Sequence, residues 1–178
     1  RSSIMTLPRA PQRITPSFAF SYIERSIQEG LTLRKFGRPE MDEVLRFFFD
    51  GRDPECVYCG SEDVRRWDHL VPVMAGGDTI VGNMVLACSQ CDDSKQATEF
   101  EQWMTGDAPR SPLSRGVLDI ESRVKRIREY VRHHNYVVIS LIERLDRRES
   151  DELPEIRERM ADNRRRLELL IADHRARV

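Results

Sequence analysis

The chain has 178 residues, of which 39% are hydrophobic and 33% charged, with a formal net charge of −1. That suffices for one compact domain, or a small domain with an appendage, and it excludes both a disordered polyelectrolyte and a uniformly basic coat for nucleic acid. No apolar run approaches the roughly 20 residues of a membrane span, and no basic segment followed by an apolar one opens the sequence as in a secretory leader. The charge is segregated: residues 54–109 hold three Lys+Arg against ten Asp+Glu, whereas residues 1–53 carry a net +2 and residues 110–178 a net +4. An acidic centre suits a cation, and basic flanks suit a polyanion held around it.

Arg1 to Thr15, rich in Pro, Arg and Ser, reads as an extended arm. A helix is expected from Pro16, with Phe20, Ile23 and Ile27 on one face and Gly30 as its C-cap. A second helix is expected from Pro39 to Phe49, with Met41, Val44, Leu45 and Phe48 inward and the Phe47–Phe49 run in the core. Asp50 to Pro54 is a loop leading into the cysteine segment. Val64 to Leu70 reads as a strand with Trp67 and Leu70 partly buried, Met84 to Ala87 as its partner, and a helix begins near Asp92 and continues through Thr98 to Met104.

A linker with Pro109 and Pro112 follows, and beyond it the chain reads as wholly helical. One heptad stripe runs Val117, Ile120, Val124, Ile127, Val131, His134, Val138, Leu141, Leu145. A second runs Leu153, Ile156, Met160, Asn163, Leu167, Leu170, His174, with Arg147 to Asp151 as the turn between them and Pro154 opening the second helix. Two such helices pack antiparallel, either closing on the first domain or pairing with a second copy. The chain thus divides into an arm and helical flank (1–53), a central core (54–106) and a helical hairpin (107–178).

All four cysteines fall into two pairs, Cys56-x-x-Cys59 and Cys88-x-x-Cys91. Two such pairs about 30 residues apart can wrap one tetrahedral ion, and Gly60 favours the knuckle turn that exposes backbone amides to sulfur. A redox pair would sit near a βαβ unit, which the pattern lacks, and disulfides would need an oxidising compartment. Structural zinc in a cytoplasmic setting is the expectation. Four thiolates leave no open coordination position, so this zinc is not catalytic.

Between the pairs the sequence reads Trp67-Asp68-His69-Leu70-Val71-Pro72, then Gly76-Gly77-Asp78-Thr79, then Asn83-Met84-Val85-Leu86-Ala87-Cys88, and after the second pair Asp92-Asp93-Ser94-Lys95. This ordered set resembles the HNH endonucleases, the ββα-metal group, over about residues 54–105. The resemblance implies an α+β fold with a zinc-stapled ββα core, and a nuclease that hydrolyses DNA with one further cation, Mg²⁺ or Mn²⁺. It implies His69 as general base, Asp68 and Asp92 as ligands of that cation, Asn83 tying down the long loop and helping to orient His69, and Lys95 at a phosphate. Relatives more often carry Asn or His at position 92; Asp is a good ligand for a hard cation, and Asp93 is the alternative if the helix register differs by one residue. The plainer roles are a core histidine at position 69, a helix cap at Asp92 and a solvated Lys95.

The expected substrate is double-stranded DNA. Arg65 and Arg66 precede the active strand, arginines crowd the tail helices, and Arg9 and Arg13 could enter a groove. A small enzyme with its own flanks is most like a type II restriction endonuclease acting as a homodimer. The alternatives are a phage or homing nicking enzyme, a non-specific nuclease, a zinc-stabilised binding module without catalysis, and a helical adaptor.

Overall fold

The computed structural model describes residues 14–177. The expected arm, with Arg9 and Arg13, lies almost wholly outside them. The described chain falls into two compact units, one from Arg25 to Asp146 and one that joins the residues up to Glu24 with those from Arg147 onward.

Helix α1 (Pro16–Gly30) starts where the sequence placed it. Thr15 is its cap: the hydroxyl oxygen accepts from the Phe18 N–H at 3.2 Å, and Pro16 fills the first helical position, where no N–H is needed. Helix α2 (Arg38–Phe49) opens with the Gly37 N–H donating to the Glu40 carboxylate at 2.9 Å and closes at Asp50 in the left-handed region. Val44, Phe48 and Phe49 are buried.

Strand β1 (Val64–His69) pairs antiparallel with β2 (Met84–Cys88), His69 opposite Met84 and Asp68 opposite Val85. All five residues of β2 are buried, so the strand carries the core on both faces. Helix α3 (Ser89–Lys95) follows at once and packs against both strands, completing the ββα unit. The long helix expected after Asp92 is instead two. The backbone breaks at Gln96 (φ 48°), and Glu99 caps a separate α4 (Phe100–Thr105) by accepting from the Glu101 and Gln102 N–H groups. The Trp103 indole donates to Ser94 Oγ at 3.0 Å and holds the second piece against the first.

Helix α5 (Ile120–His133) uses only the first part of the tail stripe: Ile120, Val124, Ile127 and Tyr130 are buried in the same core as α2 and β2. The stripe then leaves the helix. Asn135 is left-handed (φ 49°), residues 136–140 are not helical, and a short α6 (Leu141–Arg144) follows, capped by Ser140 and Glu143. The cause is tertiary: the Tyr136 hydroxyl accepts from the Asp78 N–H at 3.1 Å, and Arg144 pairs with the Asp78 carboxylate at 2.9 Å. The tail is therefore not a hairpin of two heptad helices. Helix α7 (Arg147–Ala176) takes in the whole of the expected turn, Arg147 to Asp151, and contains Pro154 in its interior, because the Arg- and Glu-rich run before Pro154 is itself helix-forming. In the second unit α7 lies antiparallel to the start of α1, with Ser17 bonded to Glu168 and Arg157 paired to Glu24 at 3.2 Å. No residue of α7 is buried.

The Tyr130 hydroxyl donates to the Met84 carbonyl at 2.9 Å and accepts from the Gly82 N–H at 2.8 Å, clamping the start of β2 from α5. Tyr130→Phe strands both backbone groups in the core and should lower unfolding stability by about 1–3 kcal/mol, read as a lower denaturant midpoint with zinc content unchanged.

Candidate metal centre and active site

The four cysteine sulfurs lie within 4.8 Å of one another, and Cys59 Sγ is 3.8 Å from Cys88 Sγ. A tetrahedron of zinc–sulfur bonds of about 2.3 Å has edges near 3.8 Å, so the cluster fits a structural zinc. Both knuckles are formed: the Gly60 N–H reaches Cys56 O at 2.8 Å, and the Cys91 N–H reaches Cys88 Sγ at 3.4 Å. Gly60 is in the left-handed region (φ 76°), and a Cβ there would meet the Arg123 guanidinium at 2.5 Å. The cluster ties the chain before β1 to the junction of β2 and α3. Hydrogen bonds from Cys56 and Cys91 hold the Cys59 thiol down, while making those bonds pushes Cys56 and Cys91 up. A bound divalent cation would relieve this competition among the sulfurs. Arg115 donates to Cys91 Sγ at 2.9 Å and offsets the negative charge from one side.

At the far end of β1 a cleft of about 490 Å³ is lined by Arg25, Trp67, Asp68, His69, Asp92 and Gln96 among others. Strand alternation turns Arg66 and Asp68 towards α3, and Trp67 and His69 to the other face, where Trp67 stacks edge-on against Phe36 at 5.0 Å. The adjacent Asp68 and His69 thus share one opening with Asp92, which is distant in sequence.

Asp68 is 7% exposed, and its Oδ2 takes two contacts, the Tyr58 hydroxyl at 2.6 Å and the Lys95 ammonium at 3.2 Å. Burial raises its pKa against the pull of Lys95 and Tyr58, and the neighbouring Asp92 carboxylate raises it further. Two carboxylates that repel across one cleft fit a hard divalent cation, which relieves the repulsion. Asp92 is held by Arg66 at 2.6 Å, and the same guanidinium also pairs with Asp93.

His69 Nε2 lies 2.9 Å from Thr79 Oγ1. Burial, then the charges of Lys95 and Arg25, push its pKa down to about 4, so the ring is neutral at ordinary pH. Asn83 is fully buried: its Oδ1 accepts from the Val71 N–H at 2.8 Å, and its Nδ2 donates to Val71 O at 3.1 Å and Asp78 O at 2.7 Å. It closes the loop 71–78 onto itself, and the expected orienting bond to His69 is made by Thr79 instead. Gly77 completes that closure, since a Cβ there would lie 1.8 Å from Val71 O.

Lys95 differs from the expectation. It is fully buried, and its ammonium donates to His69 O at 2.6 Å besides pairing with Asp68. It fixes the backbone of the Asp68-His69 pair from beneath and has no surface left for a phosphate. Lys95→Met leaves Asp68 buried without its cation and should cost about 3–5 kcal/mol, seen as a large drop in denaturant midpoint. Arg65 pairs with Asp63 at 2.6 Å. On α5, Arg123 pairs with Glu55 and Asp119, Arg126 lies over the Phe47 ring, and Arg128 pairs with Glu101, so all three are engaged with the protein.

Sequence reasoning missed Arg25, Tyr58 and Thr79. Arg25 sits on α1 as an ordinary i,i+4 partner of Glu29, and only the tertiary fold brings it to the cleft. Tyr58, inside the first Cys pair, carried a usable signal, because a tyrosine fixed in a zinc knuckle needs a partner for its hydroxyl.

Residues 56–98 match the family model for HNH endonuclease. No curated protein and no solved structure matches the chain.

Proposed function

We propose that the chain is a metal-dependent DNA endonuclease of the HNH type, on the strength of one juxtaposition: a neutral His69 beside Asp68 and Asp92 in a cleft, within the segment that matches that family. His69 takes a proton from the attacking water, whose oxygen bonds phosphorus as the bond to the 3′ oxygen breaks. Asp68 and Asp92 would hold one Mg²⁺ or Mn²⁺, which when bound neutralises charge on the phosphate and the departing oxygen. Asp93 is the alternative ligand, since Arg66 spans both carboxylates. Asn83 keeps the loop over the site closed, and Lys95 positions the Asp68-His69 backbone. Arg25 at the cleft, and Arg66 once its carboxylates are engaged elsewhere, supply positive charge for the DNA backbone.

A type II restriction-like enzyme is the finer reading, and a homodimer is the form in which one site per subunit cuts both strands. Exposed Leu167 and Leu170 on α7 support a surface for the second copy. Incubation of plasmid DNA with Mg²⁺ or Mn²⁺ tests the proposal. Cleavage should require the added ion at full zinc content: discrete fragments support restriction, a smear or nicked circles support the non-specific or nicking alternatives, and no cleavage in any metal favours a binding module.

A further inference from the structure

Among the described residues, His69 makes its side-chain hydrogen bond through Nε2, to the Thr79 hydroxyl at 2.9 Å. A neutral imidazole carries one proton on two nitrogens, and only the bare nitrogen can take another. With Nε2 engaged by Thr79, Nδ1 is the nitrogen left to accept a proton from water. Nδ1 is bare only when the ring proton sits on Nε2, and then the Thr79 oxygen must be the acceptor.

Thr79 is itself fastened at both ends of its backbone. Its N–H donates to Leu33 O at 2.8 Å, and its carbonyl accepts from the Lys35 N–H at 2.9 Å, forming a parallel bridge between Arg34 and Thr79. The preceding Asp78, 2% exposed, accepts from the Leu33 N–H at 2.7 Å and from Arg144 at 2.9 Å. The main chain of Thr79 is thus fully occupied in docking the loop onto the segment between α1 and α2, and the hydroxyl is the polar group it presents to His69.

We propose that Thr79 is the positioning residue of His69: its hydroxyl oxygen accepts the Nε2–H and holds the ring in the tautomer whose Nδ1 acts as the base. The proposal rests on the reading of His69 as general base. It assigns a role to the segment 33–35, which lies outside the family match, because that segment sets where the Thr79 hydroxyl stands.

Long-range ¹H–¹⁵N NMR of the labelled, zinc-bound protein reads the protonation of each ring nitrogen, with His69→Gln assigning the signals. The wild type should show Nε2 protonated and Nδ1 bare. Thr79→Val, which keeps the shape and removes the hydroxyl, should mix the two tautomers and lower kcat by about tenfold with KM unchanged. Thr79→Ser should restore both readouts. A proton on Nδ1 in the wild type, or ring signals unchanged in Thr79→Val, overturns the proposal. Should the tautomer respond as expected while His69→Ala still cuts DNA, the reading on which the proposal rests is overturned instead.

Discussion

His69→Ala should abolish plasmid cleavage while zinc content, melting temperature and DNA binding stay at wild-type values. General-base catalysis contributes about 10²–10⁴-fold, so the loss should be at least of that size. The fold has little stake in this side chain. It is half-buried at the mouth of a cleft, and the backbone at position 69 is held independently by the Met84 pairing and by the Lys95 ammonium. Retained cleavage in the variant would end the general-base assignment and shift weight to a module that binds without cutting. The space vacated by the ring, at the open cleft, also admits a chemical rescue, in which added imidazole restores part of the rate only if a missing base is the defect.

Cys88→Ser should remove zinc and unfold the core together. Serine is a good N-cap, so the start of α3 keeps its cap, and what is lost is the thiolate. Structural zinc binding is worth about 10–16 kcal/mol in small zinc domains, against a typical stability of about 5–15 kcal/mol for a whole domain. A substitution that empties the site therefore removes a stabilisation of the size of the total. Metal analysis should find zinc well below one per chain, and thermal unfolding should lose its cooperative transition. Cleavage should vanish in parallel, because α3, which the zinc fastens to β1, carries Asp92. A stable, cooperatively folding, zinc-free variant would show that the cysteines are not a structural site.

The ββα unit was legible because its signals are local. Two Cys pairs at tetrahedral spacing, a Gly-Gly loop and an all-apolar Met84–Ala87 run each report a short segment, and zinc closes the distance between them. The tail was not legible for a physical reason. The apolar run Val137 to Ile139 continues the heptad spacing of α5, and periodicity alone does not separate a helix from an extended segment. What ends α5 is the reach of Tyr136 to Asp78, a partner 58 residues away. Pro154 misled in the same way, since the usual place of proline in the first turn gave way to a strongly helix-forming run before it. In the site, Asp68, His69 and Asp92 were read as neighbours from their order along the motif. The burial of Lys95 beneath them was invisible, because a lysine at a helix end reads as solvated until a strand is laid over it.

The clamp from Tyr130 onto Gly82 and Met84 also bears on modularity. The matched segment 56–98 borrows part of its interior: α2 and α5 cover β2, Tyr130 holds the strand's first residue, and Arg144 neutralises the buried Asp78. Excised at the limits of the match, the segment would expose that apolar strand and orphan that carboxylate. The smallest transplantable cassette is therefore the unit from Arg25 to Asp146, nearly three times the length by which the family is recognised, and a graft of the motif alone onto another scaffold has to rebuild the rest of that support.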